Sequence, residues 1–158
     1  MHYFFICLLV LGITSRVLAD AGPDAEITTN FPGVSLTLVA EQPAIVTPTG
    51  IDVDAVGNVW AVACHTHFRP GDYAGPEHDE VLVFAADGSR QVFYEQTTAT
   101  MDLELGPEGF VYLAERSRLL RVRDTDGDGS GDEEQLLATL QTEADYPHNG
   151  LSGLAWHP

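Results

Sequence analysis

Two stretches of this chain superimpose at an offset of 52 residues, and no other feature constrains the fold as strongly. Gly50-Ile51-Asp52-Val53-Asp54-Ala55-Val56-Gly57-Asn58-Val59-Trp60-Ala61-Val62-Ala63 matches Asp102-Leu103-Glu104-Leu105-Gly106-Pro107-Glu108-Gly109-Phe110-Val111-Tyr112-Leu113-Ala114 closely, up to one residue at the end. Apolar positions coincide, Gly57 meets Gly109, and Trp60 meets Tyr112. A third copy opens at Gly153-Leu154-Ala155-Trp156-His157-Pro158, a further 51 residues on. An apolar strand, a glycine turn and an aromatic strand at this period are the pattern of β-propeller blades. A sandwich has similar strands but gives no reason for the period. The expected fold is therefore all-β, a β-propeller of four-stranded blades with repeats starting near residues 49, 101 and 152. Two repeats and a stub are fewer than the roughly four blades that closure needs, so the chain is expected to be a fragment.

The strands expected are Ser35–Ala40, Gly50–Val53, Val59–Ala63, Glu80–Ala85, Arg90–Tyr94, Met101–Leu105, Phe110–Ala114, Leu119–Arg123 and Gln135–Leu140. They are rich in Val, Leu, Tyr and Phe and are separated by turn residues such as Asp87-Gly88. Only Glu133–Gln141 offers a helical alternative, short and uncapped. Ahead of them, residues 3–12 form an apolar run followed by Val17-Leu18-Ala19, which reads as a signal peptide over 1–19. Arg16 interrupts the run before it reaches the roughly 20 residues of a membrane span. Residues 20–34 read as a linker, and residues 35–158 as the propeller portion. An exported, periplasmic or extracellular protein is expected.

Charge excludes several partners. With 24 acidic and 7 basic residues, all arginine, the chain carries a net charge of -17. Nucleic-acid backbones and anionic membrane surfaces repel such a chain. Two cysteines, Cys7 and Cys64, give no disulfide framework, and Cys64 reads as a small core residue.

Three motifs could carry chemistry. Asp124-Thr125-Asp126-Gly127-Asp128-Gly129-Ser130-Gly131-Asp132 has the alternating carboxylates and the sixth-position glycine of a calcium loop. Asp124, Asp126, Asp128, Asp132 and the Ser130 carbonyl are the expected ligands. Gln135 stands where a bidentate Glu is usual, so Glu133 or Glu134 would have to substitute. His148-Asn149-Gly150 lies just before the third repeat, where a polar residue would point at the mouth of a propeller channel; a neutral imidazole there can act as base or ligand. Cys64-His65-Thr66-His67 closes the first repeat, and a His-x-His pair in extended chain puts both rings on one face. Arg116, Arg118, Arg121 and Arg123 form a basic stripe beside the acidic loop, read as local charge balance.

The residues Trp60–Phe68 with Gly75-Pro76-Glu77-His78-Asp79, then Arg121–Gly129, then Asp145–Leu154, resemble the exported propellers termed membrane-bound dehydrogenases of planctomycetes and related bacteria. Many of those carry a cytochrome c segment far downstream. That family is similar in fold to the soluble sugar dehydrogenases that use pyrroloquinoline quinone (PQQ). The resemblance implies oxidation of a sugar or other alcohol, with His148 as catalytic base and His65, His67 and Asn149 near the cofactor. It also implies calcium and PQQ as cofactors. Quinone sites of that kind use lysine and arginine around the cofactor carboxylates, and this chain has no lysine. The alternative is a propeller without catalysis that binds glycans or proteins.

Overall fold

The computed structural model describes residues 29–143, 146 and 148–157. The expected leader and Cys7 lie outside the described residues, as does most of the expected linker. Among the described residues, those up to Thr37 belong to one unit and those from Leu38 to a second. In the first, the Thr29 hydroxyl donates to the Val34 carbonyl at 3.1 Å across a turn.

The second unit is built of two four-stranded antiparallel sheets. β1 (Pro48–Val53), β2 (Val59–Ala63), β3 (Asp79–Phe84) and β4 (Arg90–Thr97) form the first sheet in chain order. β5 (Thr100–Leu105), β6 (Val111–Glu115), β7 (Arg118–Arg123) and β8 (Glu133–Thr139) form the second in the same way. The all-β expectation and the two four-stranded units hold; no α-helix occurs among the described residues. Register follows the repeat. Ile51 faces Ala61 and Val53 faces Val59, as Leu103 faces Leu113 and Leu105 faces Val111. The turn glycines Gly57 and Gly109 both take left-handed φ, 92° and 75°, which other residues adopt at a cost.

One expectation needs correcting. Ser35–Ala40 is not a strand: it has no ladder partner among the described residues and is exposed up to Val39. The strand expected at Gln135–Leu140 forms as Glu133–Thr139, and the helical alternative is not taken, because β7 offers a ladder from Arg118↔Thr139 to Arg123↔Glu133, with one irregularity between Leu119 and Leu120.

The core lies between the sheets. Val62, Cys64, Val81, Phe93 and Tyr94 of the first sheet's segments pack with Leu103, Val111, Leu113, Leu120 and Val122 of the second. The alternation of β2 explains this face, since Trp60, Val62 and Cys64 point one way and Ala61 and Ala63 the other. Each fully buried Leu or Val contributes about 1.5–3 kcal/mol relative to exposure. Polar bonds repeat between successive units as well. The Leu105 N–H donates to Asp52 Oδ2 at 2.9 Å, and the Leu154 N–H donates to Asp102 Oδ2 at 2.7 Å. The Trp156 indole donates to the Leu105 carbonyl at 2.9 Å and meets Tyr112 edge-on at 4.8 Å. The start of the third repeat thus lies on the second sheet much as β5 lies beside β1.

Candidate functional site

Strand direction gathers the histidines at one end of the sheets. Pro48 pairs with Ala63 and Thr100 with Glu115, so the starts of β1 and β5 share an end with the finishes of β2 and β6. The segment after β2 carries His65 and His67, and the segment before the third repeat returns to this end. There the Leu151 N–H donates to the Arg116 carbonyl at 2.9 Å. Gly150 lies so close to that carbonyl that a Cβ would collide with it, which accounts for glycine in His148-Asn149-Gly150.

His65 and His67 do different things. His65 is buried, with its Nδ1 on the Tyr73 hydroxyl and its Nε2 3.2 Å from Glu80 Oε2. Glu80 also receives Arg90 at 3.3 Å, so both nitrogens of His65 are held in a fixed network. His67 instead turns to the other segment. Its ring centre lies 4.8 Å from that of His148, at an interplanar angle of 67°. Tyr146 completes the group, 5.1 Å from His148 and 6.0 Å from His67. Nδ1 of His67 is shielded from solvent and has no hydrogen-bond partner among the described residues. His148 and Asn149 are exposed, and the Asn149 N–H donates to the Tyr146 carbonyl at 3.0 Å. In the sequence Tyr146-Pro147 and Gly150 signal only a constrained turn around His148; the meeting of the Tyr146 ring with His67 is not legible there.

Near the histidines runs a buried polar network. Asp79, 0% exposed, accepts from the Thr66 N–H at 2.7 Å, the Thr100 N–H at 2.9 Å and the Cys64 thiol at 3.5 Å. Glu115 accepts from the Thr97 hydroxyl at 2.8 Å and the Thr98 N–H at 3.0 Å, and pairs with Arg118 at 2.5 Å. Asp79 thereby joins the segment after β2 to the start of β5, and Glu115 ties the end of β6 to the end of β4. Burial, with the Asp79 charge beside it, pushes the Cys64 thiol up to about 12. Cys64 is therefore protonated at neutral pH and is no nucleophile. Native protein at pH 8 is expected to leave Cys64 unmodified by a disulfide reagent, its thiol appearing only on denaturation, as read from the labelled Cys64 peptide. Fast labelling of Cys64 in native protein would contradict this burial.

The acidic loop sits at the other end of the second sheet, between β7 and β8. One ligand atom from each of Asp124, Asp126 and Asp128 lies within 4.8 Å of the others. Gly127 takes φ 83°, and the N–H groups of Gly129 and Gly127 donate to Asp124 at 2.8 and 2.6 Å. Those bonds, Gly129 first, hold the Asp124 carboxyl below the usual carboxylate range. The side chains of Asp132, Glu133, Gln135 and Glu134 take other partners. Asp132 accepts from the Thr125 N–H at 3.0 Å and hydroxyl at 2.7 Å. Glu133 pairs with Arg123 at 2.6 Å, Gln135 accepts from Arg121 at 2.7 Å, and Glu134 receives the Tyr94 hydroxyl. The exposed Ser130 donates its N–H to Asp128 at 2.7 Å. The loop is anchored to the first sheet: the Gly131 N–H donates to the Phe93 carbonyl at 2.6 Å, and Gln91 reaches the Gly129 carbonyl at 2.8 Å. The basic stripe balances charge as expected and also stacks, with the Arg121 guanidinium 3.9 Å from the Phe110 ring centre.

No helix among the described residues is long and apolar enough to cross a membrane. No curated protein and no solved structure matches the chain. A model for a domain of unknown function, DUF7133, matches residues 25–158. That span takes in both sheets, the histidine cluster and the acidic loop, so the chain belongs to the DUF7133 family.

Proposed function

We propose that this chain belongs to an exported β-propeller that oxidises sugars or other alcohols with PQQ, His148 taking the hydroxyl proton. One observation carries the reading. His67, Tyr146 and His148 come together from separate segments at the end of the sheets where the strands of successive repeats begin. Support for the propeller itself comes from a comparison within the repeat. Leu103 is 0% exposed against the first sheet, whereas its repeat equivalent Ile51 is 68% exposed. Ile51 lies beside Val59, Ala61 and Phe84 in an apolar groove of about 390 Å³. A preceding blade would cover that face as the first sheet covers the second.

His148 is exposed and can approach a hydroxyl, and a neutral ring nitrogen can hold the proton it releases. His67 and Tyr146 set its orientation, while the Gly150–Arg116 contact fixes its distance from the sheet. When bound, PQQ supplies the hydride acceptor. The residues present fit that group on one side. The imidazole of His67 and the amide of Asn149 suit its quinone oxygens, and its carboxylates need cations. The guanidiniums of Arg69, Arg90, Arg118, Arg121 and Arg123 are already spent on Glu77 and Pro76 carbonyls, Glu80, Glu115, Gln135 and Glu133. That commitment favours the second reading, a platform without catalysis that binds glycans or proteins.

The deciding experiment reconstitutes the longer polypeptide with PQQ and calcium and follows dye reduction across sugars and alcohols. Turnover that falls by about 10²–10⁴-fold in His148→Ala fits the role of a base. Absence of both turnover and quinone binding overturns the dehydrogenase reading and leaves the binding platform.

Calcium belongs to this proposal. Asp124, Asp126 and Asp128 would hold it, because their converging oxygens suit a hard ion that tolerates irregular placement. Affinity of roughly 10⁻⁴–10⁻³ M is expected, with magnesium weaker. Millimolar calcium is expected to raise the melting temperature by mass action, and Asp126→Ala to abolish the rise. An unchanged melting temperature together with unchanged proteolysis of the loop makes it only an acidic turn.

A further inference from the structure

We infer that His67 and His148, with the Tyr146 phenol as third donor, form a binding site for a divalent transition metal of the zinc and copper class. The inference goes beyond the dehydrogenase reading and needs neither quinone nor substrate. Its first ground is the His67 ring itself. Nδ1 is shielded from water and has no hydrogen-bond partner among the described residues, a state that costs free energy unless something else takes up that nitrogen.

The second ground is spacing. A metal–nitrogen bond of about 2.0–2.1 Å puts an imidazole centre about 3 Å from its ion. Two rings on one ion then have centres roughly 4–6 Å apart over ordinary coordination angles. The observed separation is 4.8 Å, and the edge-on arrangement at 67° is not that of two stacked rings. Tyr146 is half-exposed and close to both, so its hydroxyl can complete a third position.

Competition is reduced on the histidine side. His65, the nearest histidine in sequence, is fully engaged by Tyr73 and Glu80, so Glu80 is held away from His67. Imidazole donors suit zinc, copper and nickel and do not suit calcium, so this site and the acidic loop divide cations by chemistry. The net charge of -17 raises the local concentration of any cation. A metal here would occupy a nitrogen of His148. Zinc would therefore suppress any reaction in which that nitrogen takes a proton.

The test uses the full chain, metal-free, titrated with copper(II), the divalent ion that nitrogen sites bind most strongly. Electron paramagnetic resonance is expected to show one equivalent with two imidazole nitrogens in the equatorial plane. His148→Ala changes an exposed residue and leaves the fold intact, which circular dichroism checks. It is expected to weaken copper binding at least tenfold and to remove one nitrogen coupling, and His67→Ala likewise. His78→Ala, at another exposed histidine, and Asp126→Ala, in the acidic loop, are expected to change it less than twofold. Copper affinity in His148→Ala within twofold of the unaltered chain, or a spectrum without the two-nitrogen pattern, overturns the site and leaves adventitious copper only. Because none of these readouts involves turnover, a negative result here leaves the dehydrogenase reading standing, and failure of that reading leaves this one.

Discussion

Asp79→Ala is expected to lower the stability of the two-sheet unit by about 2–6 kcal/mol, measured by urea unfolding. The carboxylate is 0% exposed and accepts from the Thr66 and Thr100 backbone N–H groups. Removing it leaves the buried Thr100 N–H and the half-buried Thr66 N–H without acceptors, at up to about 1–3 kcal/mol each. A small cavity between β2 and β5 adds to the loss. Most domains have only about 5–15 kcal/mol to lose, so a large share of the protein should be unfolded in mild denaturant. Asp79→Asn keeps one oxygen acceptor and is expected to recover part of the loss. A cost below 1 kcal/mol for Asp79→Ala would mean that the sheets are not joined at this residue.

Leu103→Ala is expected to cost about 2–5 kcal/mol, the range for emptying a fully buried leucine site. The same change at the equivalent position of the first repeat, Ile51→Ala, is expected to stay within about 0.5 kcal/mol, because Ile51 is 68% exposed. This pair also reports on the propeller. In a longer polypeptide whose further repeats close a ring, another sheet would cover Ile51, and Ile51→Ala would then cost about 2 kcal/mol or more. If Ile51→Ala remains neutral there, no blade lies on that face and the ring reading fails. If Leu103→Ala is mild in this chain, the interior between the sheets is not the one described.

Much of the fold is legible in the amino-acid sequence, because alternation and turn chemistry are local. Trp60-Ala61-Val62-Ala63 and Tyr112-Leu113-Ala114 announce strands by composition, and Gly57 and Gly109 mark the turns that precede them. Sequence and structure part where a strand-like segment lacks a partner. Ser35–Ala40 has the composition of a strand and no neighbour to pair with among the described residues, whereas the expected strand at Gln135–Leu140 has mixed propensity and forms on the waiting edge of β7. Strand formation is a two-body event, and one segment read alone reports only half of it.

The candidate site divides in the same way. The sequence by itself determined the period of 52, the strand positions, the acidic loop with its glycine, and the presence of histidines at 65, 67 and 148. All of these are short-range facts, since a turn or a carboxylate run is specified by its own neighbours. Only the tertiary structure decided that His67 and not His65 meets His148, that Tyr146 joins them, and that Asp132 and Glu133 turn to Thr125 and Arg123. Only it showed that Asp79 binds the start of the next repeat. His67 and His148 are brought together by the stacking of one sheet on another and by the return of a long segment to the Arg116 carbonyl. Those contacts depend on how register and packing settle across the whole core, which no local pattern encodes.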